Sequence, residues 1–76
     1  MRQQQNTVIL RKIAILLKEL REERKLTQED VYNDTNIHIG RIEAYKVNIF
    51  ISTISALCEY YEISLSNFFK KLETAQ

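Results

Sequence analysis

Turn-forming residues are nearly absent from this chain, which contains no Pro and one Gly, Gly40. Tight β-hairpins draw on Gly or Asn at positive φ, so a chain this poor in turn formers is steered toward helices with short connections. The apolar spacing agrees. Ile9, Ile13, Leu16, Leu17 and Leu20 share one stripe of a helix predicted from Val8 to about Lys25, with Glu19, Glu22, Glu23, Arg24 and Lys25 as its wet end. Shorter helices are predicted from about Gln28 to Asp34 and around Ile39 and Ile42, the latter ending near Ala44. A loop through Lys46 and Asn48 leads to a fourth helix, in which Ile51, Ile54, Leu57, Cys58 and Tyr61 recur at helical spacing. Ser64 caps a fifth, with Leu65, Phe68, Phe69 and Leu72 on one side. No segment alternates with period two, so the expected fold is all-α, five helices around one core.

At 76 residues the chain makes one domain with a modest core, and its 45% apolar content is ordinary for a globular chain. Residues 1–7 are polar and glutamine-rich and read as a flexible tail before a single domain over 8–76. The lone Cys58 excludes an internal disulfide, and one Cys with one His, His38, cannot close a zinc site. Cys58 reads instead as a small buried thiol. Paired carboxylates, a nucleophile–base pair and a phosphate-cradling Gly loop are all missing, so neither an enzyme nor a cofactor is expected. The apolar run from Val8 to Leu17 is broken by Arg11 and Lys12 and is too short to cross a bilayer or to serve as a signal peptide. A cytoplasmic protein with no membrane partner is expected. A net charge of +1 means that any phosphate-binding surface must come from how charge is distributed.

The segment from Leu26 to Glu43 carries the strongest chemical signal. Thr27 is placed to cap exposed amides, Glu29 and Asp30 sit where a helix dipole favours acids, and Val31 is the first residue to bury. A second short helix follows within a few residues. Two such helices bury a common face and leave the other wet, the helix-turn-helix arrangement, whose second helix fits a DNA major groove.

In its full order the chain resembles the Cro/repressor-type helix-turn-helix family of bacterial and phage transcription regulators. The resemblance covers roughly Ile13 to Phe69. It rests on Leu17, Leu20 and Arg21 before Leu26-Thr27-Gln28-Glu29, on Arg41-Ile42-Glu43, and on Ile51-Ser52-Thr53-Ile54 followed by Ile63-Ser64-Leu65. It implies a compact lambda-repressor-like domain that binds double-stranded DNA and regulates transcription. It also implies an ion pair between Arg21 and Glu43, and a DNA face drawn from Thr27, Gln28, Asn36, His38, Gly40, Arg41, Lys46 and Asn48. In that reading Gln28 meets a phosphate, Arg41 meets either guanine or a phosphate, and Lys46 and Asn48 meet the backbone.

The chain departs from the family at several points. It is about three residues shorter between Val31 and Arg41. A turn at Asn36-Ile37 takes the loss from the reading helix, whereas a turn near Asn33-Asp34 shortens the helix before it and leaves Thr35 as the next cap. The first alignment is preferred, because Ile37 then fills the apolar turn position. Asn36, Tyr45 and Glu62 stand where Gly commonly ends a helix, at a steric cost for the latter two of about 1 kcal/mol or more. Ile49 occupies a usual Pro position.

Apolar residues exceed what one core face needs: Val8, Leu10, Ile15 and Leu17 widen the first stripe, and Ile49 and Phe50 add bulk before the fourth helix. A homodimer is expected, with the fifth helix and the Ile49–Phe50 loop as contact regions and no separate sensor domain. The alternative is an interaction module with weak or no DNA binding that engages a partner protein, such as the toxin of a toxin–antitoxin pair.

Overall fold

The computed structural model describes residues 7–44 and 48–74, so the expected tail through residue 6, and Tyr45 and Lys46, lie outside them. Five helices follow one another: α1 Thr7–Glu23, α2 Gln28–Thr35, α3 Ile39–Glu43, α4 Ile51–Tyr60 and α5 Leu65–Thr74. No strand occurs among the described residues. The chain is all-α, as its spacing predicts. Thr7, expected as the last tail residue, is instead the first residue of α1.

One stripe of α1 organises the core. Ile13, Leu16, Leu17 and Leu20 are buried on it and meet Val31 of α2, Ile39 and Ile42 of α3, Leu57 and Cys58 of α4, and Phe68 and Leu72 of α5. Helix α1 packs on α3 and α5, α2 on α3, and α4 on α5. Leu17, counted above as surplus, is in fact fully buried, so the apolar excess on α1 reduces mainly to Val8 and Ile15. Ile51 also departs from expectation. It opens α4 and is 61% exposed, beside Phe50 at 74%. The stripe of α4 begins one turn later, at Ile54.

The helix ends show how a chain almost without glycine makes its corners. Thr27 Oγ1 accepts from the amide of Asp30 at 3.0 Å, and the Asp30 carboxylate accepts from the amide of Thr27 at 2.9 Å. This reciprocal box starts α2, and those bonds hold the Asp30 carboxyl below its ordinary range. Ser64 caps α5 by one such bond, its hydroxyl accepting from the amide of Asn67 at 3.1 Å. Helix α1 ends at Glu23, not Lys25. Lys25 turns left-handed at φ 58°, its amide bonds Glu22 O, and the amide of Leu26 reaches back to Arg21 O. Helix α4 closes identically: Glu62 is left-handed at φ 62°, with amide bonds from Glu62 to Glu59 O and from Ile63 to Cys58 O. These are the paired backbone bonds of a Schellman end, made without the glycine that usually accompanies it. Lys25 was not among the residues expected to carry this strain, whereas Glu62 was.

Arg24 corrects a second expectation. It is not part of a wet end. Its guanidinium donates to Tyr61 O at 2.6 Å and Leu20 O at 3.0 Å and lies over the Tyr61 ring at 5.7 Å, joining the two Schellman ends. A left-handed Cβ costs about 1 kcal/mol or more, which glycine avoids. Glu62→Gly is therefore expected to raise the urea unfolding free energy by about 1 kcal/mol. A fall would show that the Glu62 side chain contributes more than its backbone strain removes.

Candidate nucleic-acid interface

The turn between α2 and α3 falls at Asn36, which sits left-handed at φ 64° with its amide bonded to Tyr32 O at 2.8 Å. Asn tolerates this conformation better than most side chains because it is short and polar. The Thr35 hydroxyl stitches the turn, donating to Val31 O at 2.7 Å and accepting from the amide of Ile37 at 3.1 Å. Ile37 is half-buried against the core. Helix α2 thus runs its eight residues and the shortened element is α3, at five. A helix of one turn has room for two buried positions, and Ile39 and Ile42 take them. Gly40 and Arg41 occupy the other side. Arg41 is exposed, forms no ion pair among the described residues, and is the one cation on α3.

What holds α3 in place is a buried charge cluster. Arg21 Nε donates to Glu43 Oε2 at 2.7 Å and Nη2 to Oε1 at 3.1 Å, a two-pronged grip. Its third nitrogen donates to Leu26 O at 2.7 Å, in the corner between α1 and α2. The Glu43 side chain is only 5% exposed. These bonds raise the Arg21 pKa above its ordinary value, with the hydrogen bond to Glu43 outweighing the cost of burial. Gln28 joins the cluster from the first turn of α2, donating Nε2 to Glu43 Oε1 at 2.9 Å. The Arg21–Glu43 pair expected from the resemblance is present. The Gln28 link was not foreseen, because nothing in the spacing brings residues fifteen apart together.

The remaining predicted residues fall on or near the same edge. Thr27 is exposed, but its hydroxyl is occupied by the α2 cap. His38 precedes α3, makes no capping bond, and stacks on Tyr32 with ring centres 4.5 Å apart. Ile37, Ile42 and Ile49 floor an open cleft of about 270 Å³ whose rim includes His38, Arg41 and Asn48. Arg41, His38 and Asn48 are thereby brought together, while Lys46 lies outside the described residues. On α2 the acids Glu29, Asp30 and Asp34 are exposed, so Arg41 is the single cation that the two helices of the unit offer. Asp34 is tied to α4 by a hydrogen bond from the Tyr60 hydroxyl, which pushes that phenol up to about 12.

Beneath the cluster, Tyr61 is fully buried, and its hydroxyl has no hydrogen-bond partner among the described residues. Burial pushes the phenol up to about 12, with the Glu43 charge adding to the effect. Cys58 is buried and its thiol is likewise pushed up by burial. No cluster able to hold a metal ion occurs among the described residues. Nor is any described helix long and apolar enough to cross a membrane.

A five-helix domain with a capped α2, a turn at Asn36 and an outward α3 pinned by Arg21 and Glu43 is the all-α helix-turn-helix fold that the Cro/repressor resemblance implies. Among solved structures it is similar to the wild-type restriction-modification controller protein C.Esp1396I, with a TM-score of 0.78 and 29% identity over 86% of this chain and 87% of that one. No family model and no curated protein sequence matches the chain.

Removing one partner of a buried ion pair strands the other charge, so Arg21→Ala and Glu43→Ala should each cost about 3–5 kcal/mol. Replacing both by apolar residues of similar size, Arg21→Met with Glu43→Leu, should cost less than either single loss. A double-mutant cycle by denaturant unfolding checks this, and additive losses would contradict it. Tyr61 supplies a pH test. Its folded pKa lies above the unfolded value near 10, so its contribution is intact below pH 10 and is lost as pH rises toward 12. Tyr61→Phe should therefore flatten the alkaline loss of stability, without lowering the melting temperature at pH 7, because it also removes an unpaired buried hydroxyl.

Proposed function

We propose that this protein is a DNA-binding transcriptional regulator that acts as a homodimer in the cytoplasm, without a cofactor or catalytic activity. The observation that carries the reading is a helix-turn-helix whose α3 is turned outward by a buried ion pair, on a scaffold similar over most of its length to the controller protein C.Esp1396I. Helix α3 presents Arg41 to the major groove, the Gln28 side chain meets a phosphate, and Lys46 and Asn48 serve as backbone contacts. Asn36 and His38 complete the surface, Gly40 serves it from within α3, and Thr27 serves it by fixing where α2 starts. A two-fold dimer is the arrangement that places two such helices about one DNA turn apart. The exposed Phe50 and Ile51, together with α5, supply its contact region.

Three measurements test this reading. Binding to mixed duplex should weaken with salt, log K falling against log salt with a slope of about −0.9 for every phosphate neutralised. A flat line at low salt would instead favour a partner-protein module. The specific observation behind that second reading is that α3 offers five residues and one cation, a small reading surface. On the selected operator, Arg41→Ala should cost about 1–3 kcal/mol more than on random duplex, as expected for an Arg that reads a base. Equal loss on both would assign Arg41 to the backbone. Sedimentation at tens of micromolar should give a dimer, and a monomer there would refute the free homodimer.

A further inference from the structure

The chain's one glycine lies inside α3, where its φ is not left-handed. Glycine in a helix is disfavoured against alanine, and here the backbone does not ask for it. Space does. A Cβ placed on Gly40 would stand 2.9 Å from Gln28 Oε1 and 3.4 Å from the carbon of the same amide. The Gln28 amide therefore rests on the bare backbone of α3, while its nitrogen donates to Glu43 Oε1 at 2.9 Å. Glu43 is itself fixed by Arg21. An exposed glutamine at a helix start ordinarily samples many rotamers, but this one is set from both ends of its amide. Its nitrogen carries two N–H groups, and the bond to Glu43 uses one.

We infer that Gly40 is a positioning residue of the proposed DNA interface. It does not touch DNA. It leaves the space in which Glu43 orients the Gln28 amide, and the second N–H of that amide is kept for a phosphate oxygen at the start of α2. This inference rests on the DNA-binding reading. The obstruction an alanine would create falls on the free end of a side chain and not on backbone. Gly40→Ala therefore displaces the amide and leaves the fold in place.

The test uses the full chain and a duplex enriched by selection from a random pool, with affinity read by fluorescence anisotropy at fixed salt and folding by thermal melting. Gly40→Ala and Gln28→Ala should each weaken binding roughly tenfold, the size of one hydrogen bond to a charged oxygen. The double variant should bind no more weakly than either single one, because both changes remove the same contact. The melting temperature of Gly40→Ala should equal or exceed that of the unaltered protein. Wild-type affinity in Gly40→Ala would overturn the inference, as would a double variant whose losses multiply, the signature of glycine admitting DNA on its own account. A lowered melting temperature would overturn the claim that the added methyl meets only a mobile side chain. Failure of the unaltered protein to bind any duplex is seen before a variant is compared, and it overturns the DNA reading itself.

Discussion

The buried pair between Arg21 and Glu43 is the constraint on which the recognition edge depends. One guanidinium meets both oxygens of the carboxylate and a carbonyl of the α1–α2 corner. Three segments are fixed by a single planar group: the end of α1, the nearby approach to α2, and the end of α3, twenty-two residues on from Arg21. Such a pair loses much of its attraction to desolvation, so its contribution is better read as geometry than as net stability. Apolar side chains of similar volume would hold the helices together, but they would not fix the angle at which a one-turn helix leaves the core. The directional bonds do that, and Gln28 extends the same geometry to the first turn of α2.

A second set of polar links does the same work between α4 and the first two helices. Arg24 binds the carbonyls of Leu20 and Tyr61 and covers the Tyr61 ring, and Tyr60 reaches Asp34 across α2 and α4. The apolar core supplies cohesion, and these bonds supply register. Three left-handed residues, Lys25, Asn36 and Glu62, show that the corners are taken even where the side chain resists them. Two of the three are Schellman ends, where paired backbone bonds and a following apolar residue, Leu26 or Ile63, outweigh the local strain.

Much of this was legible in the residues. The stripe of α1, the Thr27 cap, the Ser64 cap, the turn at Asn36 and the Arg21–Glu43 pair were each expected, the pair only because the chain resembles a known family. Local rules reach these features because each depends on neighbours three or four residues away, or on an order of motifs. What was missed is long-range. Arg24 sits in a run of charges, and nothing nearby announces that its partner is a carbonyl thirty-seven residues later. The bond from Gln28 to Glu43 is equally silent in the spacing. Ile51 misled for a different reason: periodicity marks a stripe but does not say at which turn the core begins.

The brevity of α3 has a consequence for how the recognition edge comes into being. Five residues fall well below the length at which a helix persists alone in water, because nucleation fixes several residues for a single bond. Ile39 and Ile42 therefore lend α3 its helicity through the core, and α3 lasts only while the packing around them does. For this chain, being folded and being able to present Arg41 are the same event.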